Sequence, residues 1–249
     1  MTHDTRPQDF PGARQSTQDV RTIAILRLGV GLIGILLPPA LPFGNWLAAV
    51  VTGRSTDGFW PGSMSASYYS DTRNVFVGAL CALGVFLICY RYDRRDDRWS
   101  TAAGFFALGV ALCPTYTGGG SGLDRTVGVF HLVFAGLLFV MLAMFCFHSF
   151  RNPRSAQPAR VGTAYLVAGV VILAGPALAV LAEATGLGSG WQVRPLYLGE
   201  WLATWAFGFA WTGAALELAA HGRRDTGPTA LPRQPGAVAL DPAPPEAHA

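Results

Sequence analysis

The chain has 249 residues, 51% of them apolar and only 13% charged, with a formal net charge of +3 and a mean hydropathy of +0.34. A soluble domain carries about twice that share of charge, so a soluble globular fold is excluded, and the apolar content of the middle of the chain excludes disorder there. All 18 basic residues are Arg; no basic run interleaves with aromatics, which excludes a nucleic-acid partner.

In chain order, residues 1–19 lack periodicity and read as a disordered cytoplasmic tail. Residues 20–221 read as one all-α domain, a polytopic membrane helix bundle. A spanning helix needs about 20 mostly apolar residues, and six stretches approach that length: Ile23–Leu41, Asp71–Tyr90, Trp99–Tyr116, Val127–Phe147, Val161–Leu181 and Leu196–Leu218. The first has a long polar leader and no Ala-x-Ala site directly after its apolar run, so it reads as a retained helix and not a cleaved signal. Leu47–Val51, after Pro38, Pro39 and Pro42, is too short to span and reads as an interfacial piece. Trp99, Tyr116, Trp201 and Trp205 read as interfacial anchors. The Pro-rich residues 222–249 read as a second disordered cytoplasmic tail. The cysteines, Cys81, Cys89, Cys113 and Cys146, all lie in apolar stretches and read as reduced packing residues. No internal repeat stands out.

Alternate connections differ in arginine. One side holds Arg6, Arg14 and Arg21, then Arg91, Arg94, Arg95 and Arg98, then Arg151, Arg154 and Arg160, and finally Arg223, Arg224 and Arg233. The other side holds Arg54, Arg73, Arg125 and Arg194. This bias of 13 to 4 predicts six spans in the cell membrane with both termini in the cytoplasm.

Polar side chains in or beside spans are costly and need a role. The densest group leads into the second span from outside: Ser65, Ser67, Tyr68, Asp71, Arg73 and Asn74. A helix entry accounts for part of it, with Ser70 or Asp71 capping free N–H groups. His131 and Glu200 lie about one turn inside the outer ends of the fourth and sixth spans, so an acid, a histidine and a second acid share one depth. Arg73 is expected to pair with Glu200 or Asp124, and His131 to hydrogen-bond Glu200 or Asp71. Arg27 reads as a side chain snorkelling to headgroups, and Glu183 and Glu217 as wet helix ends. Asp124 reads as the cap of the fourth span. Thr117–Gly122 reads as an outer loop, and no HExxH, nucleophile elbow, CxxC or P-loop occurs.

Ser65-x-Ser67-Tyr68-Tyr69 followed by Arg73-Asn74-Val75-Phe76-Val77-Gly78 resembles an uncharacterised bacterial family of multi-spanning membrane proteins. Ala107–Thr115, His131 and Glu200-Trp201-x4-Ala206-Phe207-Gly208 extend the match. At greater distance the chain is similar to the superfamily of alkaline ceramidases and adiponectin receptors. That resemblance implies an intramembrane Ser, Asp and three His acting in metal-dependent amide hydrolysis. Ser67, Asp71 and His131 stand for part of that set, while the His-x-x-x-His of the last helix is absent and six helices replace seven.

Two functions follow. In the first, the outer cluster of Ser65, Ser67, Tyr68, Asp71, Arg73, Asn74, His131 and Glu200 binds a lipid headgroup or a small solute. Membrane lipids are then the partners and no cofactor is expected. In the second, it is an intramembrane hydrolase of a lipid amide or ester. Ser67, Asp71, His131 and Glu200 are its catalytic candidates, and zinc sits on Asp71, His131 and Glu200. A transporter fits less well, because no inverted repeat or mid-membrane helix break is visible.

Overall fold

The computed structural model describes residues 11–90, 94–151 and 158–225, with side chains over 21–90, 96–151 and 158–220. Six α-helices and no strand form among the described residues: α1 Pro11–Val51, α2 Arg73–Cys89, α3 Arg94–Leu112, α4 Gly122–Met144, α5 Ala159–Thr185 and α6 Pro195–Asp225. A 3₁₀ turn, Ser65–Tyr69, precedes α2, and α4 runs on into a π-helical segment, Phe145–Phe150. The helical stretches Arg21–Val51, Gly122–Phe150 and Ala159–Thr185 are long and apolar enough to cross a membrane, and Arg73–Cys89 is apolar but shorter.

Two expectations at the ends of α1 change. The helix begins at Pro11, so residues 11–19 of the expected tail are helical, while residues 1–10 lie outside the described residues. Leu47–Val51 is not a separate interfacial piece. α1 continues through Pro38, Pro39 and Pro42 to Val51. A proline removes the N–H that would bond the carbonyl four residues earlier, and here α6 supplies replacement donors. Trp205 Nε1 donates to the Ile35 carbonyl at 2.9 Å, opposite the N–H that Pro39 lacks. Tyr197 Oη donates to the Pro38 carbonyl at 2.6 Å, opposite the N–H that Pro42 lacks. Neighbouring side chains that satisfy freed carbonyls are what make such prolines tolerable away from water. Trp205 therefore serves the α1–α6 contact, and Trp201 packs between Trp60, Tyr197 and Trp205.

The helices form a ring in which each packs on its neighbours in sequence and α6 closes back on α1. Glycines set the closest crossings, as small residues do where helices associate without a hydrophobic drive. A Cβ on Gly208 of α6 would lie 2.8 Å from Ile35 N and 2.9 Å from Gly31 O of α1. On Gly104 of α3 it would lie 2.6 Å from Gly84 O of α2, and on Gly199 of α6 2.5 Å from Gly175 O of α5. α5 ends at Gly186, whose φ of 74° suits glycine and lets Leu187 N–H donate back to the Ala182 carbonyl at 2.9 Å.

The exterior is apolar and the interior holds the polar groups. Leu36, Phe105, Leu132, Val167, Leu181 and Phe209 face outward, while Arg27, Asn45, Thr72, Asp96, Ser100 and His131 are buried. An apolar exterior this broad exceeds what a soluble monomer presents to water. Arg27 does not snorkel. It is 6% exposed, its Nη1 donates to the Ala214 carbonyl at 3.2 Å, its Nε and Nη2 donate to Tyr90 Oη, and its guanidinium lies 5.3 Å from the Phe150 ring centre. Glu217, expected to be wet, hydrogen-bonds Tyr165. The four cysteines are free thiols.

Candidate functional site

The α1–α2 connection spans one end of the ring. Phe59 O accepts from Asn45 Nδ2 at 3.2 Å, the Trp60 ring lies 5.7 Å from Tyr197 and 5.9 Å from Trp201, and Tyr69 Oη donates to the Thr115 carbonyl at 2.9 Å. The connection is thereby tied to α1, to α6 and to the residues after α3. Within it, Met64 is buried, and its N–H donates to Glu200 Oε2 at 2.5 Å. Thr72 Oγ1 donates to Asn45 Oδ1 at 3.1 Å, which fixes the start of α2 against α1.

A cavity of about 80 Å³ lies beside this connection. Ile33, Leu37, Phe76, Leu80, Leu83, Leu138, Leu142 and Phe207 give it apolar walls, and Ser65, His131, Glu200 and Thr204 contribute polar groups. α1, α2, α3, α4 and α6 all contribute to it, and α5 does not. No residue of the lining is an arginine.

The sequence placed eight residues in one cluster, and the fold divides them. Ser65, His131 and Glu200 line the cavity. Ser67 is fully buried, and its Oγ has no hydrogen-bond partner. Tyr68 lies under Arg73, whose guanidinium is 4.8 Å from the ring centre. Asp71, Arg73 and Asn74 are exposed.

Geometry changes several expectations. Arg73 does not pair with Glu200 or Asp124: its Nε donates to the Tyr68 carbonyl, five residues back. Asp71 does not join His131 and Glu200, because Arg54 Nη2 holds its Oδ2 at 2.7 Å. His131 does not bond a carboxylate. Its Nδ1 meets the Cys113 carbonyl at 2.6 Å, just past the end of α3, where helix carbonyls have no partner of their own. At the α2 entry the cap position is Thr72, with Ser70 Oγ accepting the Thr72 N–H at 3.2 Å, and at α4 Ser121 is the cap with Asp124 closing a reciprocal capping box. Glu183, read as wet, accepts from Arg194 Nη2 at 3.1 Å.

These separations bear on the metal reading. Zinc needs three or four ligand atoms about 2.0–2.3 Å from a common point. Among the described residues no group of three His, Cys, Asp or Glu side chains is placed to hold an ion. Asp71, one of the three expected ligands, is held by Arg54 instead.

Sequence reasoning missed Met64 and Thr204. Thr204 had a signal: it stands four residues after Glu200, on the same helical face. Its Oγ1 donates to the Glu200 main-chain carbonyl at 2.6 Å. Met64 had none, because it acts through its main-chain N–H. No protein-family model, curated protein or solved structure matches the chain.

Proposed function

We propose that the protein is a six-span protein of the cell membrane, with both termini in the cytoplasm, that binds a small solute or the headgroup end of a lipid in the cavity beside the α1–α2 connection. The arginine bias of 13 to 4 supports the orientation, and the apolar exterior supports the membrane setting. On this reading the connection that carries Ser65–Tyr69 faces outward and the cavity opens from the outer half.

The observation that carries binding is the cavity itself. Apolar walls with a few convergent polar groups at one end are the usual form of a small-molecule site. Glu200 and His131 come from α6 and α4, so the site exists only in the folded ring.

Reporter fusions test the topology. An external signal after Gly120 and a cytoplasmic signal at the C-terminus are expected; a cytoplasmic signal at Gly120 defeats it. Binding is tested by thermal unfolding of the detergent-solubilised protein with lipids and short-chain amphiphiles added. Ligands of the cavity raise the midpoint in proportion to occupancy, and that rise disappears when Leu83→Trp fills the cavity.

A further inference from the structure

We infer that the ligand of this cavity carries a hydrogen-bond-donating cationic nitrogen on a single short apolar chain, which makes it an alkylammonium. The inference rests on the binding reading above and specifies the chemistry of the same site.

Hydrogen-bond accounting leads there. Met64 N–H is spent on Glu200 Oε2 at 2.5 Å. The Thr204 hydroxyl has one hydrogen, which goes to the Glu200 main-chain carbonyl at 2.6 Å and leaves its lone pairs free. His131 Nδ1 donates to the Cys113 carbonyl at 2.6 Å, and the ring also hydrogen-bonds the Val110 main chain. Ser65 Oγ is engaged with Ser63 Oγ at 3.1 Å. Glu200 Oε1 and the lone pairs of Thr204 Oγ1 are left to meet a ligand, and both are acceptors when the carboxylate is ionised.

Charge points the same way. No arginine lines the cavity, the sequence contains no lysine, and among the described residues no salt bridge to Glu200 forms. A carboxylate in an apolar enclosure lacks a countercharge, and an ammonium ligand supplies it together with up to three N–H donors. Phosphate and carboxylate headgroups bring the wrong sign and more acceptors. Size agrees with this: a cavity of about 80 Å³ suits a short alkyl chain.

The test uses three probes of one chain length, n-hexylammonium, 1-hexanol and hexanoate, titrated into the full-length protein in a neutral maltoside detergent. Hexylammonium is expected to bind about tenfold or more tightly than the other two, the gain of a charge-assisted hydrogen bond. Glu200→Gln should remove that preference and leave hexanol affinity within about threefold. Equal affinities, or hexanoate binding best, overturn the alkylammonium assignment while the cavity remains a binding site. If none of the three binds, the binding reading falls and this inference with it. Should Glu200→Gln fail to fold, the ranking of the three probes on the native chain decides alone.

Discussion

The Tyr197 hydroxyl stands where the amide hydrogen of residue 42 would be, 2.6 Å from the Pro38 carbonyl. A side chain from α6 thus completes the backbone bonding of α1, and Trp205 does the same for the Ile35 carbonyl at 2.9 Å. Tyr197→Phe leaves a buried acceptor open and should cost about 1–2 kcal/mol. In a Pro42→Ala background residue 42 regains its N–H, and the same change should cost much less. Unfolding of the four proteins in detergent measures the coupling; additive losses would mean that tyrosine and proline are unrelated.

Gly208 should tolerate nothing larger. Its Cβ would meet α1 backbone at 2.8–2.9 Å, so Gly208→Ala should cost about 1–3 kcal/mol. Gly78, on α2, has nothing within 4 Å of its Cβ position, and Gly78→Ala should be neutral or slightly stabilising. Equal melting temperatures for the two variants would show that the α1–α6 crossing is not as close as described.

His131 is a partner for the Cys113 carbonyl. His131→Gln keeps a donor and should retain most of the stability, whereas His131→Leu should lose about 1–3 kcal/mol. The order Gln above Leu is the informative result. A Gln variant as damaged as Leu would mean that the ring, and not its hydrogen bond, matters.

Asp71 should be dispensable. Its ion pair with Arg54 is half exposed on both sides, and such pairs contribute about 0–1 kcal/mol. Asp71→Asn should leave hexylammonium binding within about twofold. A loss comparable to that of Glu200→Gln would put Asp71 back in the site.

Arg27→Lys should not be conservative. Nε and Nη2 of the guanidinium both reach Tyr90 Oη, and an ammonium cannot make that two-pronged contact. We expect a loss of more than about 1 kcal/mol, read as a lower unfolding midpoint; full stability would show that charge alone suffices at this position.

The helices were legible because the apolar runs from Ile23, Val127 and Val161 are long, and for the latter two the observed helix ends lie within a few residues of the expected ones. α1 was read short because proline interrupts a helix on local grounds. Its repair comes from Tyr197 and Trp205, more than 150 residues later in the chain. In the site, depth was legible and direction was not. Asp71 lies two residues before α2 begins, outside its helical register, so Arg54 takes it instead of Glu200. His131 and Arg73 both chose backbone carbonyls, partners that every residue carries and that residue types therefore cannot announce.

The repair of α1 by α6 has a consequence for the order of synthesis. The first helix enters the bilayer long before residues 197 and 205 leave the ribosome, so the Ile35 and Pro38 carbonyls wait without their eventual donors. During that interval α1 is held by whatever the insertion machinery or water offers at the proline segment. Arrival of the last helix ends the wait and completes the cavity wall with Glu200 in the same step. Completion of α1 and closure of the cavity wall are thus one event, and a chain stopped before Pro195 lacks both donors to the first helix.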